Sequence, residues 1–122
     1  MGVENNEAVL MTIWDDKVVD KIREWVSRLP DPQLSLLFAF IPSLRNGRTT
    51  IILAPCGSKK YEKTADEIKI LRDRLIIFIK TFEHEDGSSP VEWIEVGYGE
   101  YGQKVLRGNN KNMYNDKDYA IY

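Results

Sequence analysis

Few residues of this chain carry side chains that make or break bonds. His84 is the only histidine and sits beside Glu83, Glu85 and Asp86, with no second histidine or cysteine close by, so the ligand set of a zinc site is missing. That setting predicts a solvated imidazole near a helix end. Cys56, the only cysteine, follows Pro55 and precedes Gly57, and Lys59 and Lys60 nearby would favour a thiolate. A lone thiol at a strand end more often packs than reacts, and the sequence predicts an idle one. Gly57-Ser-Lys-Lys60 precedes a helix but lacks the first glycine and the Gly-Lys-Ser/Thr ending of a nucleotide-hydrolysing loop. Its lysines and the helix start suit one phosphate at most. Asp15 with Asp16, and Glu92 with Glu95, read as charges on solvated faces. Lacking a base, nucleophile or metal set, the chain is expected not to be an enzyme, to have no catalytic residues and to need no cofactor.

The charge distribution points further. The whole chain carries a net charge of −2, which predicts no bulk attraction to nucleic acid or to an anionic membrane. Residues 43 to 63 are the exception: Arg45, Arg48, Lys59, Lys60 and Lys63 face Glu62 alone, a local excess of +4. Lys104 and Arg107 extend this basic set, and Tyr98 and Tyr101 lie among Gly97, Gly99 and Gly102. Cations beside flat rings suit single-stranded nucleic acid, whose phosphates pair and whose bases stack. The expected interface has Arg45, Arg48, Lys59, Lys60, Lys63, Lys104 and Arg107 on phosphates, with Tyr98, Tyr101 and Trp93 under bases. The competing expectation is a small acidic protein-interaction module, an adaptor, inhibitor or assembly subunit. It rests on a hairpin apolar on both faces, on the apolar end of a later helix, and on a tail bearing Met113, Tyr114, Tyr119, Ile121 and Tyr122. Either reading predicts a homodimer.

The elements that position these residues follow from periodicity. Ala8 to Trp14 is a short apolar run that predicts a first strand. Asp15 or Thr12 then caps a helix with apolar positions Val18, Ile22, Trp25, Val26 and Leu29, ended by Pro30 and Pro32. Leu34 to Ser43 and Arg48 to Ala54 predict a hairpin about Asn46-Gly47, a pair that tolerates the positive φ of a two-residue type I′ turn. That loop would set Phe40 opposite Leu53 and Ile41 opposite Ile52. Phe38, Phe40, Ile51 and Leu53 would then share one face, and Leu37, Ala39, Ile41, Ile52 and Ala54 the other. Such a pair belongs inside a sheet covered on both sides, or in one that docks a partner.

Thr64-Ala-Asp-Glu67 has the pattern of a capping box ahead of a helix striped by Ile68, Leu71, Leu75, Phe78, Ile79 and Phe82. Val91 to Val96 alternates as a half-buried strand, with a glycine-rich loop or bulged hairpin after it. The order β-α-β-β-α-β predicts an α+β domain with an antiparallel sheet of four to five strands, two helices and a ferredoxin-like arrangement plus a C-terminal extension. A domain over residues 1–107 and a polar tail over 108–122 are expected. The RNA-recognition motif shares this order, but its third strand carries exposed rings and cations where this chain reads Arg48-Thr-Thr-Ile-Ile-Leu-Ala54. One cysteine and no basic, apolar leader predict a reducing, cytoplasmic setting without membrane association.

Overall fold

The computed structural model describes residues 5–57, 63–100 and 102–109. Five strands form one antiparallel sheet in the order β2-β3-β1-β4-β5, with β1 (Asn5–Ile13) at its centre. The others are β2 (Phe38–Pro42), β3 (Thr49–Leu53), β4 (Val91–Gly99) and β5 (Gly102–Gly108). Among the described residues three helices accompany them: α1 (Asp16–Ser27), α2 (Pro32–Ser35) and α3 (Lys63–Lys80). The α+β class and the antiparallel sheet are therefore as expected, and the expected pair of helices is corrected to three.

Asp15 caps α1, its carboxylate accepting from the Lys17 amide at 3.0 Å. The extra helix has the same device. Asp31 accepts from the Gln33 amide at 2.9 Å, and Pro32 supplies a φ already suited to a first helical residue. The proline that ends one helix here opens the next, so Leu34 is helical and β2 begins only at Phe38. At the other helix, α3 has already begun at Lys63, which sets Thr64 inside the first turn instead of at its cap.

The hairpin register also differs from expectation. Phe38 pairs with Leu53, Phe40 with Ile51 and Ile41 with Thr50, two residues away from the two-residue-loop register. The Ser43 amide donates to the Arg48 carbonyl at 2.8 Å, which encloses a four-residue loop over 44–47. Gly47 alone takes positive φ, +69°, while Asn46 stays at negative φ and accepts from the Arg48 amide through its side chain at 3.1 Å. A shift of two preserves the alternation, so the residues within β2 and β3 keep their expected faces, whereas Leu37, which lies ahead of β2, packs against the core on the side of Phe38 and Phe40.

Both helical stripes pack on one face of the sheet. Val9, Met11 and Ile13 of β1, with Ile51 and Leu53 of β3, meet Ile22 of α1 and Leu75 and Ile79 of α3, and all are at most 1% exposed. Full burial of one such side chain stabilises by about 1.5–3 kcal/mol. At the rim, Trp25 stacks on Phe78 with ring centres 5.5 Å apart, and Phe78 meets Phe82 edge-on at 5.2 Å.

A bulge between Glu95 and Val96 ends the regular pairing of β4 with β5. Arg107 lies opposite Glu95 and Val105 opposite Val96, so Leu106 is the extra residue. Leu106 fills the space over Gly97, where an added Cβ would touch it at 3.4 Å. Gly108 still pairs with Ile94, and Asn109 bonds to β4, so the ordered sheet extends into the first residues of the expected tail. The remainder, 110–122, lies outside the described residues.

Candidate functional site

The residues expected to bind nucleic acid do not converge. Arg45 is exposed in the β2–β3 loop, and Arg48 beside it stacks over the Trp14 ring at 5.3 Å. Lys63 opens α3, reached from the far end of β3. Lys104 and Tyr98 are exposed on β5 and β4 at the diagonally opposite corner of the sheet. At ~3.3 Å per residue and ~4.8 Å per strand, Arg48 and Tyr98 stand on the order of 25 Å apart. Lys59, Lys60 and Tyr101 lie outside the described residues.

Two of the set are engaged elsewhere. Trp93 is 4% exposed and belongs to the core, so no base can stack on it. Arg107 donates through Nε to Glu95 Oε1 at 2.6 Å and through Nη2 to Asp73 Oδ1 at 2.7 Å. Its guanidinium is a cross-link between β5, β4 and α3 through Nε and Nη2.

That cross-link belongs to a buried charge cluster which the sequence reading missed. Glu95, read there as a solvated charge, is 3% exposed and accepts from Arg72 Nε at 2.9 Å as well as from Arg107. Arg72 reaches on to Glu7 of β1, and Lys69 pairs with Asp73 at 3.2 Å. Burial raises the Glu95 pKa, but hydrogen bonds and charge from Arg107 and Arg72 outweigh it, and the net effect is to lower it. For Asp73, too, a raising effect of burial is outweighed by Arg107 and Lys69. Arg107 is held still more firmly protonated, chiefly by its bond to Glu95. Both Glu95 oxygens are occupied, so this carboxylate ties elements together and is no free proton acceptor. The signal was present in the sequence. Glu95 falls in the row Val91, Trp93, Glu95, and Arg72 adjoins Leu71 in the stripe of α3, so each is a charge set among apolar side chains.

The histidine and the cysteine lie apart from this cluster. His84 is exposed in a turn closed by its own amide donating to the Ser88 carbonyl at 2.7 Å. Cys56 is half-buried against the core. Among the described residues no group of three His, Cys, Asp or Glu gathers as a metal site, and no helix is long and apolar enough to cross a membrane.

The face of the sheet turned away from the helices is the most distinctive surface. Register places Leu10 between Ile52 and Ile94, Ala8 beside Val96, and Ala39 beside Ile52. Leu10 is 37% exposed, Ile41 48% and Tyr98 43%. Thr12 and Thr50 join hydroxyls across β1 and β3 at 3.2 Å. Among the described residues of this face, Arg48 and Glu92 alone carry charge, and both lie at its hairpin end. No family model, curated protein or solved structure matches the chain. Fold and surface together define its class: a two-layer α+β domain with one largely apolar sheet face that no other described element covers.

Proposed function

We propose that the protein is a non-enzymatic protein-interaction module that pairs with a second copy of itself across the open face of its sheet. One observation carries this reading: among the described residues that face is largely apolar, its uncharged polar positions being Asn6, Thr12, Thr50 and Gln103, and it bears one cation and one anion, both at its hairpin end. Phosphates would need cations along the face, and a charged protein patch would need counter-charges. A second copy presents the same neutral surface and meets it without electrostatic cost. Size agrees as well. Five strands at ~4.8 Å spacing and ~3.3 Å per residue give a flat footprint on the order of 400–700 Å², near the ~800 Å² per partner of a standard interface.

This reading takes β2-β3-β1-β4 as the ferredoxin-like order with β5 added at one edge and α2 inserted, in a cytoplasmic protein. Sheets that pack face to face lie about 10 Å apart, and the short side chains Ala8, Thr12 and Ala39 leave room for the partner's Leu10 and Ile94.

Light scattering across a dilution series at low and high salt tests the proposal. The expected result is a dimer insensitive to salt, converted to monomer by Leu10→Lys and by Ile41→Lys, with circular dichroism unchanged. Ile41 lies on an edge strand, where lysine is well tolerated, so it guards against simple misfolding of the first variant. A monomer at every concentration overturns the proposal. So does tight, salt-sensitive binding of single-stranded oligonucleotides that Leu10→Lys leaves intact, which would instead favour the nucleic-acid reading.

A further inference from the structure

The helical layer carries a second surface, independent of the sheet face. Between the second halves of α1 and α3 runs a groove of about 740 Å³. Trp25, Leu29, Phe78 and Phe82 line it as half-buried apolar side chains, and Ile77 stands 67% exposed beside them. Its rims are basic. Lys21 on α1, Arg28 just past its end and Arg74 on α3 flank it, against Glu24 alone, which Arg28 already neutralises. Among the described residues Lys21 and Arg74 make no salt bridge. In a chain of net charge −2, an apolar trough with an excess of cations is a local inversion of sign.

We propose that this groove is a docking site for an acidic amphipathic helix of a partner protein. A helix laid along two others packs at an interaxial distance of about 8–10 Å, and its apolar residues at i, i+3, i+4 and i+7 would seat on Trp25, Ile77 and Phe78. Acidic residues beside that stripe meet Lys21, Arg28 and Arg74. Bases fit the groove less well, because the rings are already spent on each other. Trp25 stacks on Phe78 with planes 11° apart, Trp25 and Phe38 meet edge to face, and so do Phe78 and Phe82, so these rings pack against one another. What the groove offers is ring edges and aliphatic surface, which suit leucine-like side chains.

The test is a titration of the full chain with a synthetic amphipathic peptide of leucine and glutamate, about 18 residues long, and with its leucine-lysine counterpart, followed by amide chemical shifts. The expected result is that the acidic peptide binds at least roughly tenfold more tightly and shifts the amides of residues 21–29 and 74–82. In the doubly substituted chain Arg28→Glu, Arg74→Glu the preference reverses, and both exposed positions allow that chain to fold. Equal affinity for the two peptides overturns the proposal, as does no binding, or shifts confined to the open sheet face. A single-stranded oligonucleotide that shifts the groove amides more strongly than the acidic peptide overturns it too. Leu10→Lys leaves peptide binding unchanged, which separates failure here from failure of self-pairing.

Discussion

Arg72 and Glu95 form an ion pair at 2.9 Å in which neither side chain is more than 7% exposed. The pair joins the middle of α3 to the middle of β4. Through Glu7 and Arg107 the same two residues tie α3 to the central strand and to the outermost one. An ion pair at this depth adds little net stability against a well-packed apolar alternative, because desolvating two charges offsets most of their attraction. Breaking it is another matter.

Glu95→Ala leaves the buried Arg72 guanidinium with Glu7 as its acidic partner and its Nε without an acceptor, and is expected to cost about 3–5 kcal/mol. The loss is read from urea unfolding at neutral pH. The double variant Arg72→Met, Glu95→Leu removes both charges and keeps the volume, so it recovers more than half of that loss. A double variant as unstable as Glu95→Ala would mean that the pair contributes by mutual attraction.

The same carboxylate sets the response to acid. Its folded pKa lies below the ordinary Glu value of 4.5, so its contribution to stability is present above that value. It disappears as pH falls through the lowered folded pKa, when protonation removes the acceptor for both arginines. Asp73, lowered below 3.8, acts in the same direction. Wild-type stability is therefore expected to be flat from neutrality down to about pH 5 and to fall steeply below it. Glu95→Gln starts lower and falls less between about pH 4.5 and 2. Urea midpoints at pH 7 and pH 3 decide it, and equal slopes for the two chains would exclude Glu95 as the group responsible.

Where local chemistry decided the outcome, the sequence was legible. Asp15 capped α1 because a carboxylate ahead of an amphipathic run satisfies its open amides. The faces of Phe38, Phe40, Ile51 and Leu53 followed from alternation, which survives a shift of two in register. The shift itself was not readable, since Asn-Gly fits either a two-residue loop or a longer one closed by a single left-handed glycine. Leu34 went to α2 because Asp31-Pro32 starts a helix as well as stopping one. That Arg45 and Lys63 are separated follows from the hairpin itself, since its tip and the approach to α3 lie at opposite ends of β3, whereas the place of Lys104 on the outermost strand was invisible in one dimension. Only the strand order reveals that β4 and β1 stand between β5 and β3.

The hairpin loop supplies a backbone test. Gly47 holds φ of +69° with open space where a Cβ would be, so substitution there costs conformation and no contact. Gly47→Ala is expected to destabilise by about 1 kcal/mol, and Gly47→Asn by roughly half as much, since asparagine tolerates the left-handed region. Thermal melts rank the two variants. Equal losses would mean that the loop relaxes to a different turn.

Asn109 closes the sheet after β5 and does so through its side chain. Its Nδ2 donates to the Val91 carbonyl at 2.6 Å and its Oδ1 accepts from the Trp93 amide at 3.1 Å, so one amide group imitates the next rung of the ladder. The backbone amide of Asn109 adds a bond to the Trp93 carbonyl at 3.3 Å. Trp93 sits in the core, so an unpaired amide at this position would be poorly hydrated. Asn109→Ala is expected to cost about 1–3 kcal/mol. It should also speed hydrogen exchange at the Trp93 amide while leaving that of Leu53 on β3 slow. Asn109→Asp keeps the acceptor but sets a carboxylate oxygen against the Val91 carbonyl, so it fares no better than alanine. If exchange at Trp93 stays slow in both variants, β4 is held by its pairing with β1 alone, and the side-chain rung is ornamental.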